Sequence, residues 1–473
     1  MAGQTARLEN FNLTHVHFVG IGGARQAALA GILLQMGGQV SGSDLIASAA
    51  TNDLATHGVK VSTGHDSANV AGATLVVTTP AAPADNPEIV AAQAQNIPVI
   101  KNAELLGAIA NAKRCIAIAG THGKTTTTAM VAHVLRGVGL DPTFVIGGVA
   151  SSLGTAGYLG KGEFAVIEAD EYDRSFLQLE PQVAIITNIE ADHLDYYGDF
   201  KALQAAFREF ADNVRPEGRI LLCGDDDKAV DLALSLKKDL GGSTRFILYG
   251  TKYSNEWRAT DMKLNQVGGY NFLIWHHYGR LTNIRLPIPG LHNVVNALAA
   301  LALCRLVAPQ INPDDLAKQF ESFRGVARRF EVKGDAGGIT IVDDYAHHPT
   351  EIKATLKAAR ARYPERRIVA LFQPHTYSRT KDLLKDFSTA FGEADIVRLM
   401  EIFPSRETDT LGISSADVLG RMNHAGKNDT ALTHDNATQE MLNILEPGDV
   451  FLTLGAGDVW KVGEVVLETL ESA

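Results

Sequence analysis

The chain has 473 residues, enough for about three domains of ordinary size, and its 45% apolar and 21% charged residues exclude a disordered or fibrous class. A formal net charge of −11 excludes a general affinity for nucleic acid or anionic lipid, so a substrate anion has to be met by a local site. Three cysteines, Cys115, Cys223 and Cys304, lie far apart in apolar runs, the pattern of buried reduced thiols rather than of a disulfide framework or a zinc site.

The opening stretch MAGQTARLENF has no apolar segment of signal-peptide length, and no later run reaches transmembrane length. A cytoplasmic protein without membrane insertion is expected. HVHFVGIGG, from His15 to Gly23, reads as a strand entering a glycine turn, and ARQAALAGILLQMG continues as an amphipathic helix. QVSGSD ends a second strand on Asp44, at the distance where a dinucleotide-binding unit carries its ribose-binding carboxylate. Arg25 stands where the third glycine of that fingerprint belongs, so Gly20, Gly22 and Gly23 are read as a backbone cradle for a diphosphate whose nucleotide is open. After VKVSTG, the apolar run TLVVT ends on Thr78, followed by Thr79, at the carboxyl edge of the sheet. These threonines either meet the ligand or simply end the strand. NPEIVAAQAQ, IPVIK and NAELLGAIANAK then lead into the next domain.

The central domain opens on AIAGTHGKTTTTAM, from Ala117 to Met130. The apolar strand before it and the helix after it make a strand, glycine loop and helix. Gly120 and Gly123 let backbone N–H groups face phosphate oxygens, Lys124 supplies a point charge, and Thr125 offers a hydroxyl to Mg²⁺. The loop reads GTHGKT, with Ile118 where the usual first glycine would stand. Phosphoryl transfer is the chemistry this predicts. EFAVIEADEYD, from Glu163 to Asp173, is a strand that leaves a run of carboxylates at its end, and Glu168 is the first choice as a Mg²⁺ ligand. Asp170, Glu171 and Asp173 are either part of that site or a solvated acidic face. VAIITNIEADHLDYYG, from Val183 to Gly198, ends likewise with Asn188, Glu190, Asp192, His193 and Asp195, read as a second metal site or a γ-phosphate contact.

A helix, the strand RILLC and a stretch of sheet from Thr244 to Leu286 bring the chain to LPIPGLHNVVNALAALAL. Gly290 opens this helix, and Asn293 and Asn296 fall on one face of its first turns. Amides there suit an adenine edge, or Asn293 caps the helix. FRGVARRFEVKG, from Phe323 to Gly334, is charged and reads as a hinge into the last domain. Two strand, turn and helix units follow, GITIVDDYAHHPTEIKATLKAAR and RRIVALFQPHTYSRTKDLLKDF. Their turns share one sheet edge, so Asp343, Asp344, Tyr345, His347, His348, His375 and Arg379 converge there. GDVFLTLGAGD closes the sheet with a turn at Gly455 and Gly457.

GIGG, AGTHGKTTT, EADEYD, TNIEADHLD, GLHNVVNALAA, RRFE, DDYAHHPTE, FQPHTYSRT and GAGD, in this order over essentially the whole chain, resemble the Mur ligases of bacterial cell-wall synthesis. The resemblance implies an α/β fold of three domains. Residues 1–112 would form a Rossmann-like domain for a UDP-sugar, 113–327 a P-loop ATPase-type domain, and 328–473 a Rossmann-like domain for an amino acid. The implied reaction joins L-alanine to UDP-N-acetylmuramate with ATP and Mg²⁺ or Mn²⁺, in a monomer or homodimer. By the same likeness Gly120, Thr121, His122, Gly123, Lys124, Thr125 and Thr126 hold the ATP phosphates. His292, Asn293, Asn296, Arg329 and Asp344 are the further ATP contacts. Thr125, Glu168 and His193 hold metal, Gly20, Gly22, Gly23, Asp44, Thr78 and Thr79 the UDP-sugar, and Tyr345, His347, His375 and Arg379 the amino acid. Lys124, Glu168, His193, Arg329 and His347 are the implied catalytic set, with His347 and His375 both placed to take a proton from the amine.

The sequence departs from the family at GIGGARQAALA, where GIGGAGMSGIA is usual, so Arg25 and Ala28 replace glycines. Arg25 either reaches a phosphate or blocks the backbone approach. The competing readings are a ligase that recycles a whole tripeptide onto the same sugar, folylpolyglutamate synthetase, an NAD-dependent dehydrogenase and a non-catalytic nucleotide-binding protein. FQPHTYSRT and TNIEADH favour the alanine enzyme over the first, and the GIGG segment and DDYAHHPTE tell against the second. The missing third glycine and the second loop at Gly120 tell against a dehydrogenase.

Overall fold

The computed structural model describes residues 6–239, 245–277, 279–405, 407–409, 411–428 and 430–472. Met1–Thr5 of the opening stretch, and Thr244 and Tyr278 of the predicted central sheet, lie outside the described residues. Strands form where apolar runs meet glycine or polar turns. β1 (His15–Val19), β2 (Gln39–Asp44), β3 (Lys60–Thr63), β4 (Leu75–Thr78) and β5 (Val99–Lys101) make the first sheet. β6 (Arg114–Ala119), β7 (Thr143–Val145), β8 (Gly157–Tyr158), β9 (Phe164–Glu168), β10 (Val183–Ile186), β11 (Arg219–Cys223), β12 (Phe246–Gly250), β13 (Trp257–Leu264), β14 (Tyr270–His276) and β15 (Gly279–Leu286) make the second. β16 (Glu331–Ala336), β17 (Ile339–Asp344), β18 (Ile368–Phe372), β19 (Ile396–Leu399) and β20 (Val450–Leu454) make the third.

The first sheet has the order β3-β2-β1-β4-β5 with all four pairings parallel. Successive strands step outward from β1 in one direction and then in the other, which opens a crevice at the carboxyl ends of β1 and β4. The turn Gly20–Gly23, Thr78 at the end of β4 and Thr79 just after it sit there. In the second sheet, ordered β15-β14-β13-β12-β11-β10-β6-β9-β7-β8, β6 lies between β10 and β9 and runs parallel to both. The loop after β6 is therefore flanked by the acidic ends of β9 and β10, strands that come 50 and more residues later in the sequence.

The third sheet has the order β16-β17-β20-β18-β19. β20, the last strand of the chain, does not close the sheet from its edge but enters its middle, parallel to β17 and β18. All five of its residues are buried, as a central strand requires. Part of the segment read as a hinge is strand β16, antiparallel to β17 at the sheet edge. Along β16 Glu331 and Lys333 are half-buried while Val332 and Asp335 are exposed, and Lys333 pairs with Glu464 at 3.0 Å.

By packing, the chain divides into two compact units, Met1–Thr260 with Leu273–Ile284 and Val295–Phe323, and Asp261–Phe272 with Arg285–Val294 and Arg324–Ala473. In the first unit a single apolar core runs from Val16 and Leu29 through Leu105, Leu106 and Ile109 to Ala117, Ile186 and Phe207, so the first two sheets share it. The connecting helix Asn102–Asn111 makes this possible because Gly107 carries no side chain. A Cβ there would lie 2.6 Å from the Gln178 carbonyl oxygen. Among the described residues no helix is long and apolar enough to cross a membrane.

Candidate functional site

The glycine turn after β1 is held from β2. Gly20 and Ile21 donate their N–H groups to the Ser43 carbonyl at 2.8 and 2.9 Å, and Gly22 donates to Asp44 Oδ2 at 2.8 Å. Gly20 is at φ +76°, and a Cβ would come within 3.0 Å of Thr79 Cγ2. Gly20, Gly22, Asp44 and Thr79 are thus brought together. Thr78 stands beside them and donates to the Thr79 carbonyl at 3.4 Å. Gly23 donates to Gly20, which spends the turn's amides inside the protein. An anion is left the start of the helix Ala24–Gln35, which has no side-chain cap.

Beneath this turn lies a polar knot that the sequence did not disclose. Glu88 is fully buried, yet Ser43 donates to it at 2.5 Å and Asn69 at 2.6 Å, while His65 Nδ1 lies 3.3 Å and His17 Nε2 3.4 Å away. Burial alone would raise this carboxyl, but hydrogen bonds from His17, Ser43 and Asn69 and the charge of His17 outweigh it and hold its pKa at about 2. In NPEI, Glu88 looks like an ordinary acid in the first turn of a helix.

The loop after β6 needs its glycines for space. Gly120 is at φ +129°, and a Cβ would overlap Thr187 Oγ1 at 2.0 Å; Gly123, at φ +81°, would meet Asn296 Oδ1 at 2.8 Å. Asn188 shapes the loop by accepting from the N–H groups of Thr121 and His122 at 3.1 and 2.8 Å, through its carbonyl and its side chain. Lys124 opens the helix Lys124–Gly137 and turns back, its Nζ donating to the Gly120 carbonyl at 2.6 Å and to both Glu171 carboxylate oxygens at 2.9 and 2.8 Å. Burial works to lower Lys124, but Glu171 and Asp170 outweigh it and raise its pKa, so the side chain stays protonated. Thr125 donates to Glu168 Oε1 at 2.9 Å, and the other carboxylate oxygen accepts from Gly147 N–H at 2.6 Å. Thr126, on the same turn, is buried.

The acids after β9 are not a solvated face. Glu171 is 1% exposed against Lys124, Asp173 pairs with Lys101 at 2.8 Å, and Asp170 pairs with Arg25 at 2.8 Å. The guanidinium that replaces a family glycine therefore reaches the acidic end of β9. Burial works to raise Asp170, but Arg25 and Lys124 outweigh it and hold the carboxyl below its ordinary range. His193 joins Asp170 and Glu171, with ligand atoms of the three within 4.8 Å of one another. Its ring also lies 5.0 Å from that of Tyr172. The predicted metal residues thus fall into two groups, Thr125 with Glu168, and His193 with the carboxylates of Asp170 and Glu171. Hydroxyl and carboxylate oxygens of this kind suit Mg²⁺. Glu171 carries no local signal that separates it from its acidic neighbours.

In the second unit, Arg328 binds Asp343 at 2.9 Å and the carbonyls of Gly455 and Gly457 at 2.7 and 3.2 Å, while Arg329 lies 5.1 Å over the Tyr345 ring. Asp344 accepts from the N–H groups of Ala346 and Phe330 at 2.7 and 2.8 Å. Burial raises its pKa to about 6 against the pull of Arg329. His292 is pushed down to about 4 by burial and by Arg329, so it is neutral at pH 7. Asn293 donates to the Pro289 carbonyl at 2.7 Å. Asn296 belongs to the first unit, where it faces Gly123. Tyr345, His347, His375 and Arg379 form a row: ring centroids 5.4 Å and then 5.8 Å apart, and Arg379 Nη1 3.2 Å from His375 Nδ1. His347 Nδ1 is bonded to the Tyr345 carbonyl at 3.0 Å and lies 3.4 Å from Glu351, in the first turn of the helix Pro349–Arg362.

Comparison with known proteins matches three family models in succession. These are the Mur ligase family catalytic domain over residues 15–114, the Mur ligase middle domain over 118–304 and the Mur ligase glutamate ligase domain over 328–457. The chain is 45% identical over 464 residues to a UDP-N-acetylmuramate–L-alanine ligase of Geobacter sp. (strain M21), covering 98% of each. It is 44% identical to that of Geobacter sulfurreducens, covering 97% of this chain and 98% of the relative. Among solved structures, the UDP-N-acetylmuramate-alanine ligase of Thermotoga maritima superposes with a TM-score of 0.81 at 28% identity, covering 97% of this chain and 99% of the other. A murein peptide ligase of Psychrobacter arcticus gives 0.72 at 25% identity, with the same coverage. With family models along most of its length, relatives matched over 97–98% of it, and a glycine loop set between two acidic strand ends, the chain belongs to the Mur ligase family.

Proposed function

We propose that this protein joins L-alanine to the lactyl carboxylate of UDP-N-acetylmuramate at the expense of ATP, the first amino-acid addition in peptidoglycan synthesis. The observation that carries the reading is the likeness, over 98% of the chain, to ligases named for that reaction. The geometry supports this reading. A carboxylate resists a nucleophile, so it is first phosphorylated by ATP to an acyl phosphate, and the alanine amine then displaces phosphate through a tetrahedral intermediate. Lys124 offsets charge as the two anions approach, with Thr125 and Glu168, and His193 with Asp170 and Glu171, as the residues to hold Mg²⁺. When bound, Mg²⁺ neutralises phosphate charge. Gly120 to Thr126 cradle the phosphates, and His292, Asn293, Asn296, Arg329 and Asp344 hold the rest of the nucleotide. Tyr345, His347, His375 and Arg379 receive L-alanine, His347 or His375 taking the amine proton. Gly20, Gly22, Gly23, Asp44, Thr78 and Thr79 receive the UDP-sugar. Holding three reactants in one geometry is worth roughly 7–11 kcal/mol of barrier.

In this reading residues 1–112 are a Rossmann-like UDP-sugar domain, a role that the order β3-β2-β1-β4-β5 supports. Residues 113–327 are the P-loop ATPase-type domain and 328–473 a Rossmann-like amino-acid domain. The three cysteines are free and buried, which suits the reducing cytoplasm where ATP is supplied.

Phosphate release from ATP and Mg²⁺ with UDP-N-acetylmuramate tests the proposal, run with no amino acid, with L-alanine and with the recycling tripeptide. Release is expected only with L-alanine. Release that needs the tripeptide assigns the chain to recycling, and release with neither leaves a nucleotide-binding protein. The pair Arg25–Asp170 ties the glycine turn's helix to the acidic end of β9, so Arg25→Gly is expected to weaken UDP-N-acetylmuramate binding several-fold in a calorimetric titration. Binding as tight as the parent's, or tighter, overturns that role.

A further inference from the structure

Glu256, His276 and His277 meet at the start of β13 and the end of β14, away from the phosphate loop. The strands β12, β11 and β10 stand between β13 and β6, a separation of about 19 Å at ~4.8 Å per strand. Consecutive residues of a strand face opposite ways, so the side chains of a His-His pair ordinarily diverge. His277 instead adopts φ 51°, in the left-handed region, and both imidazoles reach one carboxylate. Its backbone is held from both sides: its N–H donates to the Glu256 carbonyl at 2.9 Å, and its carbonyl accepts from Arg258 at 2.8 Å. The His276 ring packs on Trp257 with centroids 4.4 Å apart.

Nε2 of His276 lies 3.3 Å from Glu256 Oε1 and Nε2 of His277 lies 3.5 Å from it, and the ligand atoms of all three are within 4.8 Å of one another. A tetrahedral centre with bonds of ~2.0–2.1 Å has ligand–ligand edges of about 3.3–3.4 Å, whereas a charge-assisted hydrogen bond closes to ~2.7–2.9 Å. The His276 separation matches such an edge, the His277 separation exceeds it by about 0.1 Å, and both are long for a charge-assisted hydrogen bond. Two imidazoles and one carboxylate, without thiolate, favour zinc and its neighbours over Mg²⁺. His277 is 59% exposed, so the trio is reached from solvent.

We propose that Glu256, His276 and His277 form a binding site for a transition-metal dication of the zinc type, separate from the ligase centre. The test is equilibrium dialysis of the full chain against Zn²⁺ with Mg²⁺ in large excess to fill the oxygen-rich sites, together with the visible spectrum after Co²⁺ addition. The parent is expected to bind one Zn²⁺ more than His277→Ala, and to show a tetrahedral Co²⁺ spectrum that this variant lacks. Glu256→Gln should weaken binding at least tenfold, and His193→Ala should keep it, which separates this site from the trio near the phosphate loop. Because His277 is exposed, its alanine variant is expected to fold and to ligate at the parent rate. Equal Zn²⁺ binding by parent, His277→Ala and Glu256→Gln overturns the proposal, as does a Co²⁺ spectrum that remains octahedral in the parent.

Discussion

Lys124→Ala is expected to reduce ligation by at least about 10³-fold, measured as phosphate release with all three substrates present. In the proposed function Lys124 is the cation offered to incoming phosphate beside the loop Gly120–Gly123, and its neighbours keep it charged. In this structure its charge is answered by Glu171, which accepts from it with both oxygens. Phosphate oxygens would replace that partner when ATP binds, so the side chain is already aimed and already desolvated. Removing it leaves the buried Glu171 unmatched, an error that costs roughly 3–5 kcal/mol in an ionised buried pair. Burial has already raised the pKa of Glu171, so the carboxyl can neutralise itself and the fold should survive with a lowered Tm. Below that lowered Tm, Lys124→Ala should keep the parent's circular dichroism and its binding of UDP-N-acetylmuramate while remaining inactive. That split distinguishes a catalytic lysine from a structural one. Turnover of Lys124→Ala within tenfold of the parent would refute the assignment.

Glu88→Ala is expected to loosen the glycine turn at a distance, through Ser43. The chain of contacts is short: Glu88 accepts from the Ser43 hydroxyl, and the Ser43 carbonyl accepts from Gly20 and Ile21. Truncation leaves His17, His65 and Asn69 around a cavity and costs the first sheet roughly 3–5 kcal/mol. Amide exchange of peptides covering residues 15–23 should rise sharply, and the KM for UDP-N-acetylmuramate should increase more than kcat falls. The pKa of about 2 also sets an acid dependence. A carboxyl depressed from 4.5 to about 2 contributes stability that is fully present above pH ~4.5 and is lost as the pH falls through ~2. The amount is about 3 kcal/mol. Protection of residues 15–23 in the parent should therefore begin to fall below pH ~4.5 more steeply than in Glu88→Gln, which has no charge to lose there. Equal slopes would mean that Glu88 is not ionised in the folded protein.

What was legible in the sequence was local. Apolar runs of strand length marked β1, β6, β9, β10, β17 and β18, because a strand buried on both faces has to be apolar along its length. Glycines marked the turns after β1 and β6, since Gly20, Gly120 and Gly123 occupy positive φ where a side chain is strained, and at Gly120 there is no room for one. The order of motifs along the chain carried the family. Tertiary structure alone decided which charge answers which. Arg25 finds Asp170 across 145 positions and Lys124 finds Glu171 across 47, and nothing in EADEYD distinguishes the acid that meets the lysine from the one that meets the arginine. β20 is last in the chain yet central in its sheet, and the segment expected to be a hinge supplies the edge strand β16, because pairing follows exposed backbone edges rather than sequence order. Glu88 was invisible for the same reason: a lone acid in the first turn of a helix is common, and only the fold buries this one among His17, Ser43, His65 and Asn69.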